Sequence, residues 1–298
     1  MKLIRMAAVG LALTMVAQHA SADVLDGSRA GDSYGSALSV QTVQTGFGDN
    51  FSELNAGYAT AIEGDMLRMI FTGNVEANFN KLDIFIDSVS GGDNVIDGAN
   101  ARADDDGLFT AMSGFTFDSG FEADYALIAR RGNAGGDKFD FTMMTVADTS
   151  VTSFFEDIFS GALEGSNADI GNGVGVAYDN SNTAGVTGGS DAADQAAAAA
   201  VETGLEIWIP LSLIGNPGLG DTILISVMQN NQGHDFLSNQ FLGGLPAPQG
   251  NLGGGVGSVD LNQFAGDQFF AVTVVPEPSA FAVLGCIALG MVSRRRRK

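Results

Sequence analysis

The chain has 298 residues, and its 14 Lys+Arg against 35 Asp+Glu leave a net charge of −21. Only 16% of residues are charged, so the acidity reflects a shortage of bases; nucleic-acid binding, which needs clustered Lys and Arg, is excluded everywhere but at the extreme C-terminus. Gly occupies 41 positions, about twice the usual share of roughly 7%, beside 45% hydrophobic residues, a pairing that suits a turn-rich β protein better than a disordered chain.

Residues 1–22 read as a secretory signal. Lys2 and Arg5 supply the charged start, residues 6–17 a short apolar stretch, and Ala20-Ser21-Ala22 a small-x-small cleavage site, so the mature chain begins at Asp23. Twelve apolar residues rise about 18 Å as a helix, short of a hydrocarbon core of roughly 30 Å. The competing reading is an uncleaved anchor.

Period-two alternation then recurs along the body. Leu67, Met69 and Phe71 share one face of a strand over residues 66–72, and Leu82, Ile84 and Ile86 do so over 81–87. Phe139, Phe141 and Met143 alternate with polar neighbours. So do Leu205, Ile207 and Ile209, with Pro210 ending that strand. Ile223, Ile225 and Val227 follow within 222–229, and Phe269, Ala271 and Thr273 within 268–275. Weaker strands are expected at 39–43, 115–117, 125–130 and 174–178. Turn signals such as Gly91-Gly92-Asp93-Asn94, Gly135-Gly136-Asp137 and Asn216-Pro217-Gly218 stand between them.

About ten strands with few helices predict an all-β fold, a single antiparallel β-sandwich or jelly roll over residues 23–275. The Ala-rich run 191–201, with Ser190 as N-cap and Gly204 as a stop, is either a helix or a surface loop. Residues 231–266, rich in Gly, Asn, Gln and Leu, read as a long loop that contacts a partner and not as a second core.

Missing residue types narrow the chemistry. The only cysteine, Cys286, lies in the C-terminal apolar run, so the body has no disulfide, thiol nucleophile or thiolate metal site. His19 falls in the leader, leaving His234 as the sole histidine of the body, either a general base beside Asp235 or a loop residue bonded locally. Multi-histidine metal centres and H-E-x-x-H are therefore impossible, and G-x-x-x-x-G-K-[ST] and G-x-G-x-x-G are absent. Carboxylate pairs serve glycosidases, but with 34 acidic residues in the body no pair stands out, and no catalytic residue is assigned. Asp104-Asp105-Asp106-Gly107, after Asp93 and Asp97, gathers hard oxygen ligands suited to Ca²⁺, the one cofactor the sequence suggests, although the EF-hand spacing is not met. The alternative is a solvated acidic loop.

The C-terminus has three consecutive parts: Val275-Pro276-Glu277-Pro278-Ser279, the apolar run 280–292, and Ser293 followed by Arg294, Arg295, Arg296, Arg297 and Lys298. Thirteen apolar residues span about 20 Å, marginal for a permanent helix, and five terminal cations hold that end in the cytoplasm. This arrangement resembles the PEP-CTERM sorting signal of Gram-negative bacteria that make extracellular polysaccharide. The resemblance covers residues 275–298 and implies that exosortase, a membrane enzyme, recognises Pro276, Glu277 and Pro278 after transient insertion of the segment and processes the tail. A plain tail anchor is the alternative. Without leader and tail the body keeps 7 basic and 34 acidic residues, a net of −27, which repels anionic lipids and acidic glycans unless a divalent cation bridges them.

Two stretches, Asn80–Ser88 with Gly91-Gly92 and Gly204–Leu211 with Gly220-Asp221-Thr222, carry a second resemblance, to secreted β-sandwich modules of the family 9 carbohydrate-binding and DOMON-like kinds. It spans most of residues 51–240 and implies a fold more than a ligand. Sugar sites in such modules use exposed aromatics. Trp208, the only Trp, points opposite Leu205, Ile207 and Ile209, so it is either a sugar platform or packed beneath a loop or helix.

The sequence therefore leads to a secreted, surface-sorted, non-catalytic bacterial protein associated with extracellular polysaccharide. Its partners would be the secretion machinery, exosortase and the polysaccharide. An extracellular carboxylate enzyme acting on polysaccharide and a self-associating adhesive envelope protein are the competing classes.

Overall fold

The computed structural model describes residues 23–48, 52–98, 107–133, 137–147, 151–159 and 164–277. The described chain is mostly β. Its strands in order are β1 (Ser39–Val40), β2 (Glu53–Ile62), β3 (Met66–Asn74), β4 (Lys81–Asp87), β5 (Tyr125–Asn133), β6 (Asp137–Thr145) and β7 (Val151–Phe159). They continue with β8 (Glu164–Asn167), β9 (Gly175–Asp179), β10 (Gly204–Pro210), β11 (Thr222–Asn230), β12 (Phe236–Leu242), β13 (Gly253–Gly254) and β14 (Phe270–Val275). Two short helices, α1 (Leu108–Ala111) and α2 (Gln195–Ala199), interrupt them.

The strands pair in the order β7-β6-β5-β4-β11-β14-β2-β3-β10-β9-β8, with β1 beside β2 and β12 beside β11. The two outermost strands of this path, β7 and β8, are joined by residues 160–163 alone. Five residue steps reach at most about 17 Å, so the sheet must curl until its far edges approach. The curl encloses one apolar core to which both halves contribute: Leu67, Met69 and Phe71 of β3, Ile84 and Ile86 of β4, Phe141 of β6, Ile207 and Ile209 of β10, and Ile225 and Val227 of β11. The alternation that marks these strands in the sequence is the record of that inner face.

The expectation of a wholly antiparallel sheet needs correction. Strand β14 pairs antiparallel with β11 through Phe270–Thr273, then continues parallel to β2 through Val274↔Ala61 and Val275↔Ile62, which makes the sheet mixed. This last strand thereby stitches the two halves together.

Residues 231–266 also differ from the expected loop. They contain β12 and β13, and Leu237, Phe241, Leu245, Val256 and Leu261 belong to a second apolar cluster on the outer face of β4, β5 and β11. The segment 96–123 closes that cluster with Ile96, Leu108, Phe109, Phe115, Phe117 and Phe121. Phe117 is the hub of its ring packing, with centroids 4.8 Å from Phe85, 5.1 Å from Phe115 and 5.0 Å from Phe121. Strands β4 and β11 are thus buried on both faces, which explains the unbroken runs Ile84-Phe85-Ile86 and Val227-Met228.

Smaller differences have local causes. The strand expected at 39–43 shortens to β1, and Val43 instead bridges Ala192. Phe115 and Phe117 are core residues of an irregular segment in which Thr116 makes isolated bridges to Val95 and Asp260. The helix over the Ala-rich run is only α2, and its cap is Asp194, whose carboxylate accepts from the backbone N–H of Ala196 and Ala197 at 3.0 and 3.1 Å, not Ser190.

Candidate functional site

Strand β10 turns Leu205, Ile207 and Ile209 into the core, so Glu206 and Trp208 face outward. They do not reach open solvent, because the segment 23–37 lies across them. The Glu206 carboxylate accepts four hydrogen bonds: from the Tyr34 hydroxyl at 2.7 Å, Trp208 Nε1 at 3.0 Å, and the backbone N–H groups of Asp26 and Gly27 at 3.0 Å each. Burial pushes its pKa up to about 6, against the pull of those donors towards the ionised form. Burial and the neighbouring carboxylate also raise the pKa of Tyr34. The half-buried Trp208 ring carries the Arg68 guanidinium 4.7 Å from its centroid, and Arg68 is held there by Asp23 at 2.9 Å and Asp65 at 3.3 Å. One ring face is therefore occupied by a cation, and the indole N–H is already engaged.

His234 lies in the β11–β12 turn with a positive φ of 53°. Its ring turns inward and is fully buried, with Nδ1 3.1 Å from Asp83 Oδ2. The neighbouring Asp235 instead accepts from Asn231 Nδ2 at 2.7 Å, so the suggested His234–Asp235 pair does not form. Asn230 Nδ2 also donates to Asp83 Oδ2, at 3.1 Å, and Lys81 Nζ donates to the Gln232 carbonyl. Lys81, Asp83, Asn230 and His234 are all fully buried. The network closes the end of the outer sheet face and leaves no route by which His234 could meet a substrate in this conformation.

Of the acidic loop, Asp93 pairs through its backbone with Ala123, and Asp97 is exposed. Asp104, Asp105 and Asp106 lie outside the described residues. Among the described residues, no three His, Cys, Asp or Glu side chains are gathered as a metal ion would require. The sorting residues Pro276 and Glu277 follow directly on β14; Pro278, Arg294, Arg295, Arg296 and Arg297 lie outside the described residues, as do Ala20 and Ala22 of the cleavage site. Among the described residues no helix is long and apolar enough to cross a membrane.

The sequence reading did not single out a cleft of about 550 Å³ between the exit of β4 and the β10–β11 connection. Asp87, Val89, Ser90, Asn216, Asp221 and Thr222 line it. Its only trace in the sequence is the turn signal Asn216-Pro217-Gly218. Among the described residues no Lys or Arg lines it: Arg29 donates to the Val201 and Ala199 carbonyls, Arg130 pairs with Asp140 at 2.8 Å, and Lys81 and Arg131 are buried. A scan against protein-family models and searches of curated proteins and solved structures found no match to this chain.

Proposed function

We propose that this chain is an exported, non-catalytic protein that its C-terminal signal sorts to the bacterial surface, where the β body associates with extracellular polysaccharide. The observation that carries this reading is the position of the last core residue. Val274 is buried, β14 ends at Val275, and Pro276 follows immediately. Among the described residues the last core position thus stands two residues before the Pro-Glu-Pro motif, so a cut beyond that motif would leave β14 whole. At the other end Asp23, the first residue after the expected cleavage site, already serves the body through Arg68 and by accepting from Ser33 N–H at 2.8 Å.

We read the curled sheet as a two-layer sandwich, with β7-β6-β5-β4-β11 facing β2-β3-β10-β9-β8 across the shared core. The composition of that core supports this reading, because both layers supply inner-face residues to one cluster. The non-catalytic assignment rests on the chemistry already described: the one body histidine is sealed inside a hydrogen-bonded network, and the one Trp bears an arginine. Intact-mass measurement of the protein recovered from its native host tests the sorting. The reading expects a chain that starts at Asp23 and lacks Arg294–Lys298; a mature chain still carrying those cations would overturn it.

A further inference from the structure

We propose that the cleft between β4 and the β10–β11 connection binds an uncharged saccharide, an inference that rests on the polysaccharide reading and assigns it a site. The cleft is open to solvent and offers a space of about 550 Å³. Its walls are tied together rather than merely adjacent. The Ser88 hydroxyl donates to the Ile214 carbonyl at 2.8 Å, and the Ser88 and Val89 N–H groups both donate to Asp124 Oδ2 at 2.8 Å. On the facing wall, Asn216 N–H donates to the Leu211 carbonyl at 2.8 Å.

Each lining carboxylate is anchored through one oxygen. Asp87 Oδ2 accepts from Glu122 N–H at 3.0 Å, and Asp221 Oδ2 accepts from Gly218 N–H at 2.7 Å. The Oδ1 atoms of both make no hydrogen bond within the described protein, nor do the side chains of Ser90, Asn216 and Thr222. Two anchored carboxylates, one amide and two hydroxyls thus line a solvent-open cleft beside Val89, which is 39% exposed. That inventory matches a sugar ring, whose hydroxyls donate to carboxylates and accept from amide and hydroxyl groups while its C–H face lies on an apolar side chain.

The charge of the cleft selects further. No Lys or Arg lines it among the described residues, so two carboxylates would repel an anionic ligand. Two carboxylates also fall short of the roughly 6–8 oxygen ligands that Ca²⁺ takes, so a cation would depend on water for most of its shell. A neutral polyol meets neither objection, because burying its hydroxyls against pre-placed partners leaves few groups unpaired.

The test uses the mature protein and calorimetric titration with neutral cello-, xylo-, manno- and malto-oligosaccharides, run once with EDTA and once with Ca²⁺ in its place. Asn216 has a φ of 56°, a conformation glycine adopts freely, so Asn216→Gly deletes the amide while keeping the backbone. Thr222→Ala deletes a hydroxyl at the strand edge. The expected result is binding of at least one oligosaccharide, weakened tenfold or more by either variant at unchanged melting temperature. Binding unaffected by both variants would overturn the cleft assignment and leave the polysaccharide reading standing. Binding that appears only with Ca²⁺ and is lost in Asp221→Asn would replace the sugar with a cation. A wild-type protein that binds no neutral oligosaccharide here and no host polysaccharide either would overturn both readings.

Discussion

Glu206 makes the stability of the body depend on pH in a direction opposite to that of most carboxylates. Burial raises its folded-state pKa to about 6, from an ordinary value of 4.5. The folded chain therefore binds this proton more tightly than the unfolded chain. The stabilising contribution is complete below pH 4.5 and is lost as pH rises through 6. One pKa unit corresponds to about 1.4 kcal/mol, so the shift amounts to roughly 2 kcal/mol, and the residue is fully buried, so solvent screening does not discount it. Asp32, Asp87, Asp118 and Asp124 are also shifted upward, first by burial, and add to the same trend. Comparison with Glu206→Gln isolates one residue from that background. With its carbonyl turned to the Asp26 and Gly27 N–H groups and its amide to the Tyr34 hydroxyl, glutamine keeps most of the bonds, and Trp208 Nε1 retains its 3.2 Å contact with that hydroxyl. Urea unfolding of both proteins between pH 4 and pH 7.5 should show the wild type gaining roughly 2 kcal/mol on the variant as pH falls. A flat difference, or a gain towards alkaline pH, would refute the reasoning.

Three further predictions concern the fold. Asp83→Ala leaves the buried donors of His234 and Asn230 facing a void and should cost about 3–5 kcal/mol in urea unfolding, with Asp83→Asn milder. A loss below about 1 kcal/mol would mean that the network is solvated. Phe117→Ala removes the hub of four packed rings and should cost about 3–5 kcal/mol, together with the near-ultraviolet dichroism of that cluster. Gly57 sits where an added Cβ would lie 2.9 Å from Leu242 Cδ1 and 3.1 Å from the Phe270 ring, so Gly57→Val should lose about 1–3 kcal/mol, whereas a neutral effect would show that the core yields there.

Inner-face strands were legible because one buried face imposes a period of two. Strand β2, the longest among the described residues, was not legible. Leu242 and Phe270 press on Gly57 at its middle, the small residues Ala59 and Ala61 share that inner face in place of branched ones, and a bulge between Leu54 and Ala56 breaks its alternation. Strand β12 was hidden for a different reason. Its Ser238, Asn239 and Gln240 look like loop residues but are fully buried. Asn239 donates to the carbonyls of Gln44 at 2.8 Å and Gln249 at 2.6 Å and accepts from Gly46 N–H at 2.8 Å, while Gln240 accepts from Leu54 N–H at 3.2 Å. Side-chain amides there satisfy the backbone of irregular neighbours, which composition cannot distinguish from solvation.

The candidate site was less legible still. Lys81 and Asp83 alternate with Leu82 and Ile84, a pattern that ordinarily marks a solvent face; only Phe85 on their side hinted that a second layer covers it. His234 meets Asp83 across 151 positions, a pairing no local motif encodes. The cleft joins two connections far apart in the chain, and its polar residues resemble those of any turn. The two terminal signals, by contrast, are contiguous motifs and needed no fold to be read.

The most direct measurement of the central claim is retention of the mature protein on the exopolysaccharide of its own host, with calcium and with chelator. The account predicts retention that survives the chelator, since uncharged hydroxyls and not bridged charges make the contact. The same protein passing freely through the polysaccharide under both conditions would contradict it.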